Sequence, residues 1–130
     1  MKISEYAALR GEYPMPEDAD CGGAAADNER GWALFIGAVT RRETWNRLGY
    51  VCHKDAEPEF HACVCSLLRM AKDMPVIKTV LLKPEDVCAP VCSEYKPTKT
   101  MLLASALAVA ALREALKDHI LQNANPAKSV

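Results

Sequence analysis

The chain has 130 residues, half of them hydrophobic, and a formal net charge of −1. This size and composition predict a single domain over residues 1–130 with a core of its own. The near-neutral charge gives no electrostatic basis for binding nucleic acid or an anionic membrane. The N-terminus has no apolar signal segment, and the most apolar window falls well short of the ~20 residues of a membrane-spanning helix. We therefore expect a cytoplasmic protein, in which the six cysteines are thiols or metal ligands rather than disulfides.

The N-terminal third contains only short predicted elements. Residues 3–10 are expected to form a short helix that ends at Gly11, before an extended segment with two prolines. A short edge strand is expected around residues 23–26. Residues 32–39 and 44–52 have the composition of strands, and the polar link between them predicts an antiparallel hairpin. Both faces of the first of these strands are largely apolar, which predicts a strand covered on both sides or nearly so.

The remainder of the chain is predicted to be helical. A helix begins at Pro58 and runs to about residue 72, and residues 76–82 form a short helix or an apolar turn. Residues 84–97 contain three prolines and are expected to be an irregular connection. A long helix is expected over residues 98–123, buried in its first half and amphipathic in its second, with Ile120 facing the core. The predicted fold class is α+β, with a small antiparallel sheet of about three strands packed against helices and a long C-terminal helix.

Residues 49–66 concentrate thiols and imidazoles, the side chains that bind soft metals and form nucleophile–base pairs. Cys52, followed by His53, is the central candidate because a strand end beside a helix start offers backbone N–H groups and a helix dipole that favour a thiolate. The alternative is that Cys52 is a small apolar residue that finishes the strand.

His61 and Cys65 lie four residues apart on one helical face, so they are candidates for metal ligands or for a base–thiol pair. Equally, they can be a surface histidine and a core thiol. Cys63 points elsewhere and is more simply a core residue.

The other cysteines are candidates for completing a site around Cys52. Cys88 and Cys92 have a spacing close to that of zinc and redox sites, and Cys21 lies in a glycine-rich loop that could reach Cys52. His119 is expected to be a surface or packing residue. The candidates for cofactor binding are Cys52, Cys21, Cys65 and Cys63, and the candidates for metal binding are Cys52, His61, Cys65, Cys88 and Cys92.

The order of these elements resembles the NifU-like (IscU-type) iron–sulfur cluster scaffold family, as a divergent member. The segments that carry the resemblance are residues 6–14, 48–52, 66–76 and 107–118. In that family three cysteines and an aspartate hold a nascent cluster. Cys52 matches the second of these cysteines, whereas Asp27 and Asn28 lie near the first position and Ala104 near the third.

The resemblance implies a protein that is not an enzyme. It would bind an iron–sulfur cluster or zinc transiently through thiolates and pass it to partner proteins, as a monomer or weak homodimer. Its implied partners are a cysteine desulfurase or cluster-accepting proteins. A degenerate binding or regulatory module that no longer holds a cluster is the alternative, because the other ligand positions are replaced. A thiol enzyme that uses Cys52 or Cys65 with His61 is a third reading, without a family signature.

Overall fold

A computed structural model describes residues 3–92 and 96–124. The described helices and strands are α1 (Ile3–Ala8), β1 (Cys21–Asp27), β2 (Trp32–Arg41), β3 (Thr44–Cys52), α2 (Pro58–Ala71), α3 (Pro84–Cys92) and α4 (Lys99–Ala124), with two short 3-10 helices at Leu9–Glu12 and Val76–Leu81. The prediction of an α+β fold with a three-stranded antiparallel sheet and a long C-terminal helix is confirmed.

The sheet is a meander in the order β1-β2-β3, with both strand pairs antiparallel. The predicted edge strand is longer than expected, at seven residues. Arg41 pairs with Thr44, so the hairpin turn consists of Arg42 and Glu43, with φ angles of 52° and 60°. A two-residue turn with both φ angles positive matches the twist of the flanking strands, and here it is formed without the glycine or asparagine that such turns prefer.

One face of the sheet packs against the helices, and the other is only partly covered. The segment from Tyr13 to Pro16 crosses this outer face at Gly37 and Gly49, where an added Cβ would collide with Met15 and Pro14 respectively. Beyond this crossing, Phe35 is 41 % and Val51 55 % exposed. The expectation that residues 32–39 are covered on both sides is therefore wrong for the half of β2 that contains Phe35.

The outer edge of β3 pairs with two loop segments. The Trp45 N–H donates to the Met74 carbonyl (3.0 Å), and the Asp73 N–H donates to the Trp45 carbonyl (2.8 Å). Further along the strand, the Tyr50 N–H donates to the Tyr13 carbonyl (3.2 Å). On the opposite edge, the Gly22 N–H of β1 donates to the Asp118 carboxylate of α4 (2.9 Å).

The helix α2 is the centre of the core. Pro58 lies in its first turn, as predicted, and the continuous stretch from Phe60 to Leu68 is buried. It contacts α1, α3, α4 and the end of β3. Because α2 is enclosed on several sides, neighbouring cysteines on it face different surroundings.

The expectation of an irregular connection over residues 84–97 is wrong for its first part, which forms α3. Pro90 lies inside this helix and cannot donate to the carbonyl of Asp86. Asp86 is exposed, so water can satisfy that carbonyl, which is why the proline is tolerated. Val87, Cys88, Val91 and Cys92 are buried at helical spacing, a pattern that the three prolines obscured.

The helix α4 confirms the predicted long helix and lies across β1. A Cβ at Gly23 would collide with the backbone of Ala111 and Ala115, so glycine permits this close approach. Ile120, predicted to face the core, is instead 47 % exposed, because His119 is the residue of that turn that packs inward. Across residues 3–92 and 96–124, no helix combines the length and apolar character needed to cross a bilayer.

Candidate functional site

Cys52 ends β3 opposite Leu34 and is half-buried. All six cysteines lie in the part of the chain that the structure describes, and the other five are buried. Cys52 is one of the residues that line an open cavity of about 510 Å³ at the end of β3, together with Ala24, Phe35, Val51 and His53. Its side chain lies on the helix-covered face of the sheet with those of Leu34 and Tyr50. Of the six thiols, this is the one that a solute or a partner can approach without opening the core.

Two effects of opposite sign act on the Cys52 thiol. Burial raises its pKa above the ordinary value, and the Arg10 guanidinium partly offsets this by favouring the thiolate. A metal that binds Cys52 must therefore displace a proton near neutral pH.

His61 and Cys65 of α2 meet at the hydroxyl of Tyr50, which lies two residues before Cys52 on the same face of β3. The Tyr50 oxygen is 2.7 Å from His61 Nδ1 and 3.7 Å from Cys65 Sγ. The other ring nitrogen of His61 is 3.5 Å from the Arg10 guanidinium, which can only donate. If His61 is neutral and its Nε2 accepts from Arg10, its Nδ1 carries the proton and donates to the Tyr50 oxygen. The Tyr50 O–H is then free to donate to the sulfur of Cys65.

This chain of contacts is largely shielded from water. Burial raises the pKa of the Cys65 thiol to about 11. Burial also lowers the pKa of His61 below 6.5, and the positive charge of Arg10 and the neighbouring His53 act in the same direction. At neutral pH the arrangement therefore holds a neutral imidazole and a protonated thiol.

His53, next to Cys52, is fixed by packing. Its ring lies 4.7 Å from that of Phe60 in an edge-to-face arrangement and stacks on Trp32 with centroids 6.3 Å apart. Its Nδ1 is also 3.2 Å from the Ala33 N–H. These contacts hold the imidazole at the rim of the cavity that Cys52 lines.

Cys63, Cys88 and Cys92 lie away from Cys52, between α2, α3 and α4. Cys63 donates to the Met101 carbonyl (3.5 Å), and Cys92 Sγ is 4.0 Å from the Met101 sulfur. Cys88 donates to the carbonyl of Glu85 within its own helix (3.7 Å). Burial raises the pKa of Cys63 to about 12 and that of Cys92 to about 11.

Cys21 lies at the far end of the sheet from Cys52. Across the sheet, Cys21 of β1 is level with Ala38 of β2 and Leu48 of β3, and Cys52 is four residues beyond Leu48. The two cysteines are therefore offset by roughly 13 Å along the strands and lie two strands apart. Cys21 instead lies beside Asp20 and His119, and burial together with the Asp20 carboxylate raises its pKa to about 12.

The structure thus divides the predicted ligands among three places. Cys52, His61 and Cys65 lie around the end of β3, Cys63, Cys88 and Cys92 lie between helices, and Cys21 lies at the opposite end of the sheet. Within the described ranges, the one group of three ligand-type atoms within 4.8 Å of one another is Asp20, Cys21 and His119. The participation of each residue in metal or cluster binding stays a prediction.

Sequence reasoning missed two residues beside Cys52. Tyr50 carried a signal, because residues two apart on a strand share a face. Arg10 carried none, because only the packing of the N-terminal segment against α2 brings it to His61.

The fold is that of iron–sulfur cluster assembly scaffold proteins. One similar crystal structure is that of an iron–sulfur cluster assembly scaffold protein for the SUF system from Fervidobacterium islandicum AW-1, with a TM-score of 0.67 and 13 % identity over 88 % of this chain and 93 % of that one. A second is the N-terminal part of a nitrogen-fixing NifU-like protein from Brucella abortus, with a TM-score of 0.62 and 7 % identity over 95 % and 92 % of the two chains.

The resemblance to NifU-like scaffolds is thereby confirmed at the level of the fold. No protein-family profile matches the sequence, and no curated protein matches it.

Proposed function

We propose that this protein is an iron–sulfur cluster scaffold-like carrier. It would take an iron–sulfur cluster or zinc as transient cargo through cysteine thiolates and pass it to partner proteins. The observation that carries the proposal is the position of Cys52, the one cysteine outside the core, at the end of β3 in a scaffold-type fold. The chemistry is ligand exchange at sulfur, with no turnover of an organic substrate.

Cys65 and His61 are the nearest further ligands, because both approach Tyr50, two residues from Cys52. Soft thiolates suit an iron–sulfur cluster, and a mixture of sulfur and imidazole also suits zinc. To reach cargo at Cys52, Cys65 and His61 must give up their contacts with the Tyr50 hydroxyl. The Cys63, Cys88 and Cys92 thiols are buried between α2, α3 and α4, so a part for them in cargo binding, which stays a prediction, requires the core to open.

The exposed apolar surface around the end of β3 supports transfer to a partner. Phe35 and Val51 are large apolar side chains exposed next to the cavity that Cys52 lines. A partner that covers these two side chains and extends around the end of β3 would bury apolar surface and reach the cargo at Cys52. A cysteine desulfurase or a cluster-accepting protein in the cytoplasm is the proposed partner class, with the carrier a monomer or a weak homodimer.

Anaerobic reconstitution with ferrous iron and sulfide tests the proposal. We expect the full chain to become brown, with iron and sulfide bound and charge-transfer absorption in the visible range. Cys52→Ser should remain colourless and retain little iron. Cys92→Ser is the matched control, because it removes a core thiol remote from Cys52 and should reconstitute like the wild type.

A folded wild-type chain that stays colourless and metal-free after reconstitution would contradict the proposal. It would fit instead the alternative of a binding module that keeps the fold without the cargo. Circular dichroism of each variant distinguishes loss of binding from loss of fold.

A further inference from the structure

A second cluster of ligand-type side chains lies at the end of the sheet opposite Cys52. Asp20 precedes β1, Cys21 is its first residue, and His119 lies near the end of α4. A carboxylate oxygen of Asp20, the sulfur of Cys21 and a ring nitrogen of His119 all lie within 4.8 Å of one another. Two distant segments of the sequence thus deliver one oxygen, one sulfur and one nitrogen ligand to the same place.

The Asp20 carboxylate is fixed by the neighbouring strand. The backbone N–H of Thr40 donates to it at 3.0 Å, and the Thr40 hydroxyl donates to its two oxygens at 3.2 and 3.1 Å. The Asp20 N–H donates in turn to the Ala38 carbonyl (2.9 Å). These contacts orient an otherwise exposed carboxylate toward Cys21.

The His119 ring is fixed from two sides. Its Nε2 is 3.0 Å from the Glu43 carboxylate, and its Nδ1 is 3.1 Å from the Asn123 amide nitrogen. His119 is only 6 % exposed. A carboxylate that holds one imidazole nitrogen is the arrangement by which proteins orient metal-binding histidines. A metal at Nδ1 would replace the contact with the Asn123 amide.

Two of the three residues, Asp20 and His119, line a polar cavity, whereas Cys21 is buried behind them. This cavity has a volume of about 200 Å³ and is lined by Asp20, Thr40, Arg42, Glu43, His119 and Asn123, among others. Arg42 is the one positive side chain among its lining residues, and the carboxylates of Asp20 and Glu43 oppose it. Asp118, which accepts from Gly22, adds a third carboxylate near Cys21. The net field favours a cation, and the cavity leaves room for a water ligand.

We infer that Asp20, Cys21 and His119 bind a divalent cation of the zinc class, at a site separate from the cargo site at Cys52. Zinc accepts mixed oxygen, sulfur and nitrogen ligands at about 2.0–2.3 Å, which places neighbouring ligand atoms roughly 3.3–3.8 Å apart. The three ligand atoms, now within 4.8 Å of one another, would move closer on binding, and Asp20 and His119 would adjust the contacts that hold them. With three protein ligands, a fourth position would be left for water.

Cobalt(II) titration of the full, metal-free chain that carries Cys52→Ser tests the inference, because cobalt reports its ligands by absorption and this background removes the proposed cargo thiol. We expect one equivalent to give a thiolate-to-cobalt charge-transfer band and the visible bands of tetrahedral coordination. Cys21→Ser should abolish the charge-transfer band. Asp20→Asn, at an exposed position, should keep the fold and weaken cobalt binding by at least ~10-fold. Loss of a residue that only orients a metal ligand already costs about that much, and Asp20 would be a ligand itself.

Cys52→Ser is the background of the titration, because a cation at the proposed cargo site would otherwise give a thiolate band of its own. A charge-transfer band that is present in Cys52→Ser and disappears when Cys21→Ser is added supports the inference, whatever the result of the iron–sulfur reconstitution. A band that survives in the double variant, or no band in folded Cys52→Ser, overturns it. The unfolding temperature of each variant shows that a lost band reflects lost ligands and not lost structure.

Discussion

Cys52 differs from the other five cysteines in its access to solvent, and that difference can be measured directly. Thiol reactivity depends on exposure and on the fraction of thiolate. The other five are buried, and burial raises the pKa of Cys21, Cys63, Cys65 and Cys92 to about 11 or 12. We expect brief alkylation of the native protein at mildly alkaline pH to modify one thiol.

Peptide mass spectrometry should locate this modification at Cys52. Cys52→Ser should show almost no rapid labelling, whereas Cys88→Ser should label like the wild type. Rapid labelling of a cysteine of α2 or α3 in the native protein would contradict the assignment of those thiols to the core.

Trp45 and Thr79 form a buried pair that fixes the 3-10 helix at Val76–Leu81 to the sheet. The Trp45 indole N–H donates to the Thr79 hydroxyl at 2.9 Å, and both residues are fully buried. Thr79→Val keeps the shape but leaves the indole N–H without a partner, which costs about 1–3 kcal/mol. Urea unfolding should show this decrease in the free energy of unfolding. The decrease should be smaller in Thr79→Ser, which keeps the hydroxyl. Equal losses in the two variants would show that packing, not the hydrogen bond, is what matters there.

At the scale of the elements, the contact between the Tyr13–Pro16 segment and β3 depends on Gly49. A side chain there would collide with the Pro14 carbonyl and disturb the hydrogen bond from the Tyr50 N–H to Tyr13. We expect Gly49→Ala to destabilise the protein by about 1–3 kcal/mol, as other overpacked positions do. Chemical denaturation measures the change.

Gly11→Ala is the control for this prediction. A Cβ at Gly11 would meet nothing within 4 Å, so the change should be within about 0.5 kcal/mol of neutral. Similar stabilities for the two variants would mean that the segment can shift away from the sheet at little cost.

The elements were predicted better than the site, for a physical reason. Helix and strand periodicity is local, so the end of β3 at Cys52 and the start of α2 at Pro58 could be predicted from neighbouring residues. The convergence of Arg10 on His61, and of Asp20 on His119, depends on how distant elements pack. Cys63 and Cys65 lie two positions apart on α2, and only the positions of α1, α3 and β3 around that helix decide that they face different surroundings.

At the scale of the whole molecule, the titration of His61 couples to stability. Burial and the charge of Arg10 lower its pKa below 6.5 in the folded state, whereas the unfolded chain keeps the ordinary value. As the pH falls through the ordinary value, the unfolded chain takes up a proton that the native state resists. The free energy of unfolding of the metal-free protein should therefore decrease toward acid.

Urea unfolding at about pH 7.5 and about pH 5.5, on either side of the ordinary histidine pKa, measures this dependence. In His61→Gln the difference between the two conditions should be smaller than in the wild type. An unchanged difference would show that His61 is not the group responsible.

The two edges of the sheet differ in how open they are to another chain. The outer edge of β3 already donates and accepts hydrogen bonds through the segments at Tyr13 and Met74. A strand from a second molecule could therefore pair only with the other edge of the sheet, which is β1. The Gly and Ala residues of β1 offer little side-chain surface for cross-strand packing, so this edge is a poor template for intermolecular sheets. We therefore expect little edge-to-edge association of the sheet, even though Phe35 and Val51 expose apolar surface near its end.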